Sequence, residues 1–211
     1  NHHYHCSIYN ADGKRVEQCA NGMRCLAQYI DQSLHWPENI AITLDSGFTT
    51  AKIRKDSRGY TTILTYPRYK QLQQLTLADQ HFSLHLVDAG NPHAIIFTSN
   101  LEHPKLSAWG TALRQHPVFA QGINVSFITQ EKHHCTAVVF ERGVGATPAC
   151  GSAAAAIFVV CQKLDNSLKN LDIHMPGGKL FVSHQETQLE LLGPSTLSFS
   201  GQFCWENLAK V

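Results

Sequence analysis

The chain has 211 residues and a formal net charge of +1, with 43% hydrophobic and 16% charged residues. That apolar content supplies a packed core and excludes a disordered chain, while a near-neutral balance with scattered Lys and Arg gives no electrostatic case for nucleic acid or an anionic membrane as partner. No apolar run is long enough to span a bilayer, no segment has the form of a secretory signal peptide, and 7 cysteines without framework spacing favour a reducing cytoplasm.

In chain order, residues 3–9 predict a strand that enters the segment YNADGKRVEQCANGMRC at 9–25. Cys19 follows a Gly-containing turn. Leu26, Ala27 and Ile30 then have helical spacing within 23–32, and Trp36 with Pro37 ends that helix. Residues 41–44, 45–47 and 50–53 predict strand, turn and strand, and 60–66 a further strand closed by Pro67. Residues 72–82 are polar and Gln-rich, which predicts a linker or an extended surface segment. Residues 84–88 predict a strand leading into GNPH at 90–93 and AIIF at 94–97, and 106–115 a helix.

The second half repeats the order of the first. Residues 136–140 predict a strand that enters FERGVGATPACGSAAAA at 140–156, and 152–164 a strong alanine-rich helix. Residues 171–175, 176–178 and 180–182 again predict strand, turn and strand, and 189–192 with Pro194 parallel 62–67. Nine positions separate Asn10 from Cys19, and nine separate Glu141 from Cys150. Gly47 lies 28 positions after Cys19 and Gly177 lies 27 after Cys150, so the correspondence persists through helix and hairpin. The length alone suits one large domain or two small ones, and the repeat favours two. The expected division is 1–83, 84–198, and a C-terminal segment 199–211 that returns to the first domain.

A thiol at the first turn of a helix lies near unpaired N–H groups and the positive end of the helix dipole, which favour thiolate. Either cysteine alone reads equally well as a small core residue. Two matched copies, each followed by small residues that admit a close ligand, point to a site worked from both sides by one base and one acid. Backbone N–H groups near Ala20, Asn21, Gly151 and Ser152 would hold a carboxylate at each helix start. Cys25 reads as core. No CxxC exists and the histidines lack ligand spacing, so metal binding is not expected.

The set NADG (10–13), QCANG (18–22), GNPH (90–93), Asn124, ERGVG (141–145) and ACGS (149–152) resembles the diaminopimelate epimerase family over nearly the whole chain; PGGK at 176–179 fits the family's later hairpin. The resemblance implies an α/β (α+β) fold of two pseudo-symmetric domains from an internal duplication. Each would be a curved, mostly antiparallel sheet around a central helix, with the substrate in the cleft between them. It implies a cytoplasmic, cofactor-independent homodimeric epimerase acting on LL- and meso-diaminopimelate in lysine and peptidoglycan-precursor synthesis. Carried over, Cys19 and Cys150 are the acid–base pair. Asn10, Asn91, Asn124, Glu141 and Arg142 bind the substrate or line its site, and His93 and Glu141 set the reacting geometry. A proline or hydroxyproline racemase of the same fold, and a non-catalytic homologue, are the alternatives. The family's earlier Gly-Asn-Asp-Phe and Gly-Phe-Asp-Gln segments do not occur, so the first domain is expected to be incomplete. Asn1 at the start reads as a fragment, a processed product, or a chain whose first part is missing. The family's Cys-Gly-Asn-Gly stands here as Cys19-Ala-Asn-Gly22.

Overall fold

The computed structural model describes residues 2–9, 13, 15, 19–33, 40–45 and 54–202. Among them the chain runs β1 (His2–Cys6), α1 (Ala20–Ser33), β2 (Ile40–Leu44), β3 (Arg54–Asp56), β4 (Gly59–Thr65), β5 (Arg68–Leu77), β6 (Gln80–Asp88) and β7 (Pro92–Phe97). It continues with α2 (Leu106–Arg114), β8 (Asn124–Glu131), β9 (His134–Glu141), β10 (Gly145–Thr147), α3 (Gly151–Leu164), β11 (Asn170–Met175), β12 (Gly178–Gln185) and β13 (Gln188–Gly193).

The duplication is visible in the pairing. In the first half, β1 and β2 flank α1 in sequence and pair parallel; in the second, β9 and β11 flank α3 and pair parallel. A parallel pair needs a crossover, and in both cases the crossover is the helix that follows the cysteine. The halves then join through equivalent strands. β4 pairs antiparallel with β13, and Ile63 lies directly opposite Glu190, each four residues before its own proline, Pro67 or Pro194. The large sheet runs β3-β4-β13-β12-β11-β9-β8-β7-β6-β5, with β10 paired on β9.

This sheet curves around α3, which packs against strands on both its sides, from β5 and β6 round to β12 and β13. An alanine run, Ala153 to Ala156, followed by Ile157, Phe158, Val159 and Val160, is buried on every face. A helix apolar all round must be enclosed, and this one is. β7, β8 and β9 are covered twice. Ile95, Ile128 and Val139 face α3, while Ala94, Phe127 and Phe140 face α2. α1 has one apolar stripe, Met23, Ala27 and Ile30, packed on Ile42 and Leu44 of β2 and on Tyr60 of β4.

Of the two readings of residues 72–82, the extended surface segment holds and the linker does not. These residues belong to the β5–β6 hairpin, with Leu75 opposite Phe82 and Leu77 opposite Gln80. β5 is the last strand of the sheet, and an edge strand with one wet face carries the polar sequence that suggests a loop. The expected domain division at 83/84 falls inside β6. β8 and the short β10 are strands that the sequence reading did not name. The helix end at Trp36 and Pro37, the strand at 50–53 and the end of the C-terminal segment lie outside the described residues. Ser195, just before that segment, donates a hydrogen bond to Gln28 of α1 at 2.9 Å.

Candidate active site

The two cysteines hold the same backbone position in the two equivalent units. The Cys19 carbonyl accepts the Met23 N–H at 2.9 Å, and the Cys150 carbonyl accepts the Ala154 N–H at 3.1 Å. Cys150 is the N-cap of α3, extended at φ −141° and ψ 119°. Each sulfur therefore sits where the helix dipole favours negative charge. The two helix starts touch. A Cβ placed on Gly151 would lie 2.6 Å from Ala20 Cβ, so glycine is required there by contact with α1. Beside this contact the Asn21 amide donates to the Ala149 carbonyl at 3.4 Å.

Sheet register gathers the next group of residues. His93 of β7 pairs with Asn124 of β8, and Val125 pairs with Phe140 of β9, which sets Asn124 beside Glu141. Strand alternation puts His93, Asn124 and Glu141 on the face that meets α3. A hydrogen-bonded chain then runs from them through Cys150. Thr147 donates to Glu141 Oε1 at 2.6 Å, and the Cys150 thiol donates to Glu141 Oε2 at 3.3 Å. Ser152 Oγ lies 3.3 Å from Cys150 Sγ and 3.2 Å from His93 Nε2, and His93 Nε2 lies 2.9 Å from Asn91 Oδ1.

Burial, reinforced by the Glu141 carboxylate and opposed by the Ser152 hydroxyl, pushes the Cys150 thiol up to about 12. Cys150 thus rests protonated, with its S–H directed at a carboxylate. His93 is wholly buried, and burial together with the Arg142 charge, opposed by Asp88, holds it down at about 3. Its neutral ring donates Nε2–H to Asn91, which leaves Nδ1 as a bare acceptor without a partner among the described residues. The Cys19 sulfur has a different setting. It accepts the Gly22 N–H at 3.3 Å.

Of the residues picked out from sequence, Asn91, His93, Glu141, Cys150 and Ser152 form one hydrogen-bonded chain, and Ala20, Asn21 and Gly151 form the seam beside it. Asn124 is committed to backbone, donating to the Pro92 carbonyl at 2.9 Å and accepting the Arg142 N–H at 2.9 Å. The Arg142 side chain is exposed and reaches the Gln121 carbonyl at 3.5 Å. Asn10 lies outside the described residues. Thr147 and Arg24 were missed. Thr147 could have been found from its place three residues before Cys150, in a segment already compared with the family. Among the described residues no cluster of three or more His, Cys, Asp or Glu side chains is placed to hold a metal. A cavity of about 320 Å³ opens at the far end of α3, against Gln162 and Lys163, and touches neither cysteine.

The family model described as diaminopimelate epimerase matches residues 85–197. A diaminopimelate epimerase of Prochlorococcus marinus (strain NATL1A) is 33% identical over 92% of this chain and 75% of its own length. That of Blochmanniella pennsylvanica is 31% identical over 94% of this chain and 78% of its own length. Among solved structures, a hydroxyproline epimerase from Agrobacterium vitis superposes with a TM-score of 0.67 at 12% identity, covering 89% of this chain and 66% of that one. A phenazine biosynthesis PhzF-family protein of Enterococcus faecalis gives a TM-score of 0.65 at 14% identity, covering 89% of this chain and 73% of that one. These two likenesses concern the fold. The sequence relatives carry more, and by them this chain belongs to the diaminopimelate epimerase family.

Proposed function

We propose that the protein interconverts LL- and meso-2,6-diaminopimelate by transferring a proton at one α-carbon between two cysteines. The observation that carries this reading is the contact of the two helix starts at Ala20 and Gly151, each with a cysteine immediately before it. One thiolate removes the α-proton, and the opposite thiol delivers its proton to the other face of the carbanion. No electrons are gained or lost, and the two sulfurs exchange protonation states. An α-proton of an amino acid is very weakly acidic. First-turn N–H groups of α1 and α3 would hold the α-carboxylate and stabilise the charge that develops on it.

The two sulfurs are prepared differently for these roles. Burial keeps Cys150 protonated at rest, while the Cys19 sulfur accepts a backbone N–H. Which sulfur starts as base depends on which isomer is bound. Asn91, Asn124, Glu141 and Arg142 would receive the polar far end of the substrate or line its site, and His93 would keep Ser152 and Asn91 in place. Asn10 belongs to this reading by family resemblance, as do cytoplasmic location and assembly as a homodimer.

The test is incubation with diaminopimelate in D₂O, followed by mass spectrometry of the α-position. Deuterium incorporation by the wild type, lowered by about a thousand-fold in Cys19→Ser and in Cys150→Ser, is the expected result. Incorporation into proline or hydroxyproline in its place would assign the chain to the racemase alternative. Calorimetric binding of diaminopimelate without isotope exchange would make it a non-catalytic homologue.

A further inference from the structure

Arg24 is a buried cation beside the cysteine site. It lies on α1, five positions after Cys19, and only 5% of it is exposed. Its guanidinium donates to Asn21 Oδ1 at 2.7 Å and to the Ala20 carbonyl at 3.4 Å. Its Nε has no partner among the described residues, and no carboxylate of the described residues pairs with it. A buried cation without an anion is costly, so such a group is normally matched by something.

Two further observations give its direction. First, the Asn21 amide that Arg24 holds donates in turn to the Ala149 carbonyl, one residue before Cys150. A route of two hydrogen bonds thus runs from α1 to the backbone beside the opposite cysteine. Second, Gly193 ends β13 against the guanidinium. A Cβ there would meet Leu180 Cδ2 at 2.6 Å, then Arg24 Nε at 3.1 Å and Cζ at 3.3 Å, so the bare backbone leaves room for both Leu180 and the cation. Burial draws the guanidinium below its ordinary value, and charge on Cys25 and Cys19 would oppose that fall. An arginine remains protonated even so.

We propose that Arg24 is a positioning residue of the two-cysteine site: through Asn21 it fixes the start of α1 against the Cys150 backbone, and its charge, turned back onto Ala20 and Asn21 and matched by no carboxylate of the described residues, is the counter-charge to a Cys19 thiolate. The second clause deepens the proton-transfer reading and rests on it; the first concerns the seam alone.

Three variants separate charge from link. Arg24→Met removes both, Arg24→Lys keeps the charge without the planar fork that holds Asn21, and Asn21→Ala breaks the link while keeping the charge. The readouts are the iodoacetamide alkylation rate of Cys19 near neutral pH, resolved from Cys150 by peptide mass spectrometry, and kcat and KM for α-deuterium exchange on diaminopimelate. Arg24→Met should slow Cys19 alkylation about ten-fold and leave Cys150 alkylation as it was. Arg24→Lys and Asn21→Ala should alkylate at Cys19 like the wild type, yet lose kcat with the larger part of the effect outside KM. Unchanged Cys19 alkylation in Arg24→Met would overturn the counter-charge, and unchanged kcat in Asn21→Ala would overturn the link. Should Arg24→Met fail to fold, Arg24→Gln takes its place: slowed Cys19 alkylation supports the counter-charge, and an unchanged rate overturns it. A wild type that exchanges no deuterium defeats the proton-transfer reading, while the alkylation series still decides the role of the charge.

Discussion

The two cysteine sites share a backbone and differ in what surrounds the sulfur. Both carbonyls accept the N–H four residues on, and both sulfurs stand at a helix start. Cys150 is enclosed by Glu141, Ser152 and the buried His93, while Cys19 is half-buried with a backbone N–H on its sulfur and the Arg24 charge in the same helix. The repeated fold thus supplies the pair, and the unrepeated side chains supply the difference that the proposed base and acid would need. A carbon centre can be inverted only if its two flanking groups start in opposite protonation states.

The comparison breaks most clearly at the sulfurs. Cys19→Ser and Cys150→Ser should each lower exchange by about a thousand-fold, since either deletion removes one partner of a two-sided acid–base step. Next comes the seam. Gly151→Ala puts a methyl 2.6 Å from Ala20 Cβ and should cost about 1–3 kcal/mol in urea denaturation. Ala20→Gly should recover most of that loss in the double variant, and failure to recover it would show that the seam is not where the strain lies.

The acid limb sharpens the Cys150 side. The folded protein keeps His93 neutral down to about 3, whereas the unfolded chain takes up the proton near 6.5. Stability from this group is full above about pH 6.5 and is lost as pH falls toward about 3, at about 1.4 kcal/mol per unit within that window. Denaturation curves on both sides of pH 6.5 should show that slope, and His93→Gln should flatten it. Glu141→Gln should have the smallest effect. Cys150 alkylation should move to lower pH, but only in part, because burial is the larger cause of its rise and survives the change.

Much of this arrangement was readable in the chain because its signals are local. The two cysteine segments, the alanine-rich helix and the repeated strand, turn and strand each lie within a short window. Other features depend on pairing. Asn124 carries no signal of its own and gains meaning only when β8 sets it between His93 and Glu141. β8 itself, buried on both faces from Asn124 to Ile128, lacks the alternation that marks a half-wet strand. β5 is ambiguous in the opposite sense, since its wet face gives it the composition of a linker and of an extended surface segment alike. Arg24 sits in an ordinary helical stretch, and nothing in the sequence marks it as a buried cation next to the second half.

The meeting of Ile63 with Glu190 has a consequence for how such a site can arise. A strand that pairs with its own counterpart at the same position is the geometry of an isologous interface between identical subunits. In a dimer obeying an exact twofold axis, both thiols would necessarily have identical neighbours and identical acidity. Covalent fusion of the two copies frees each from that constraint, so one ancestral sulfur could gain a carboxylate and the other an arginine.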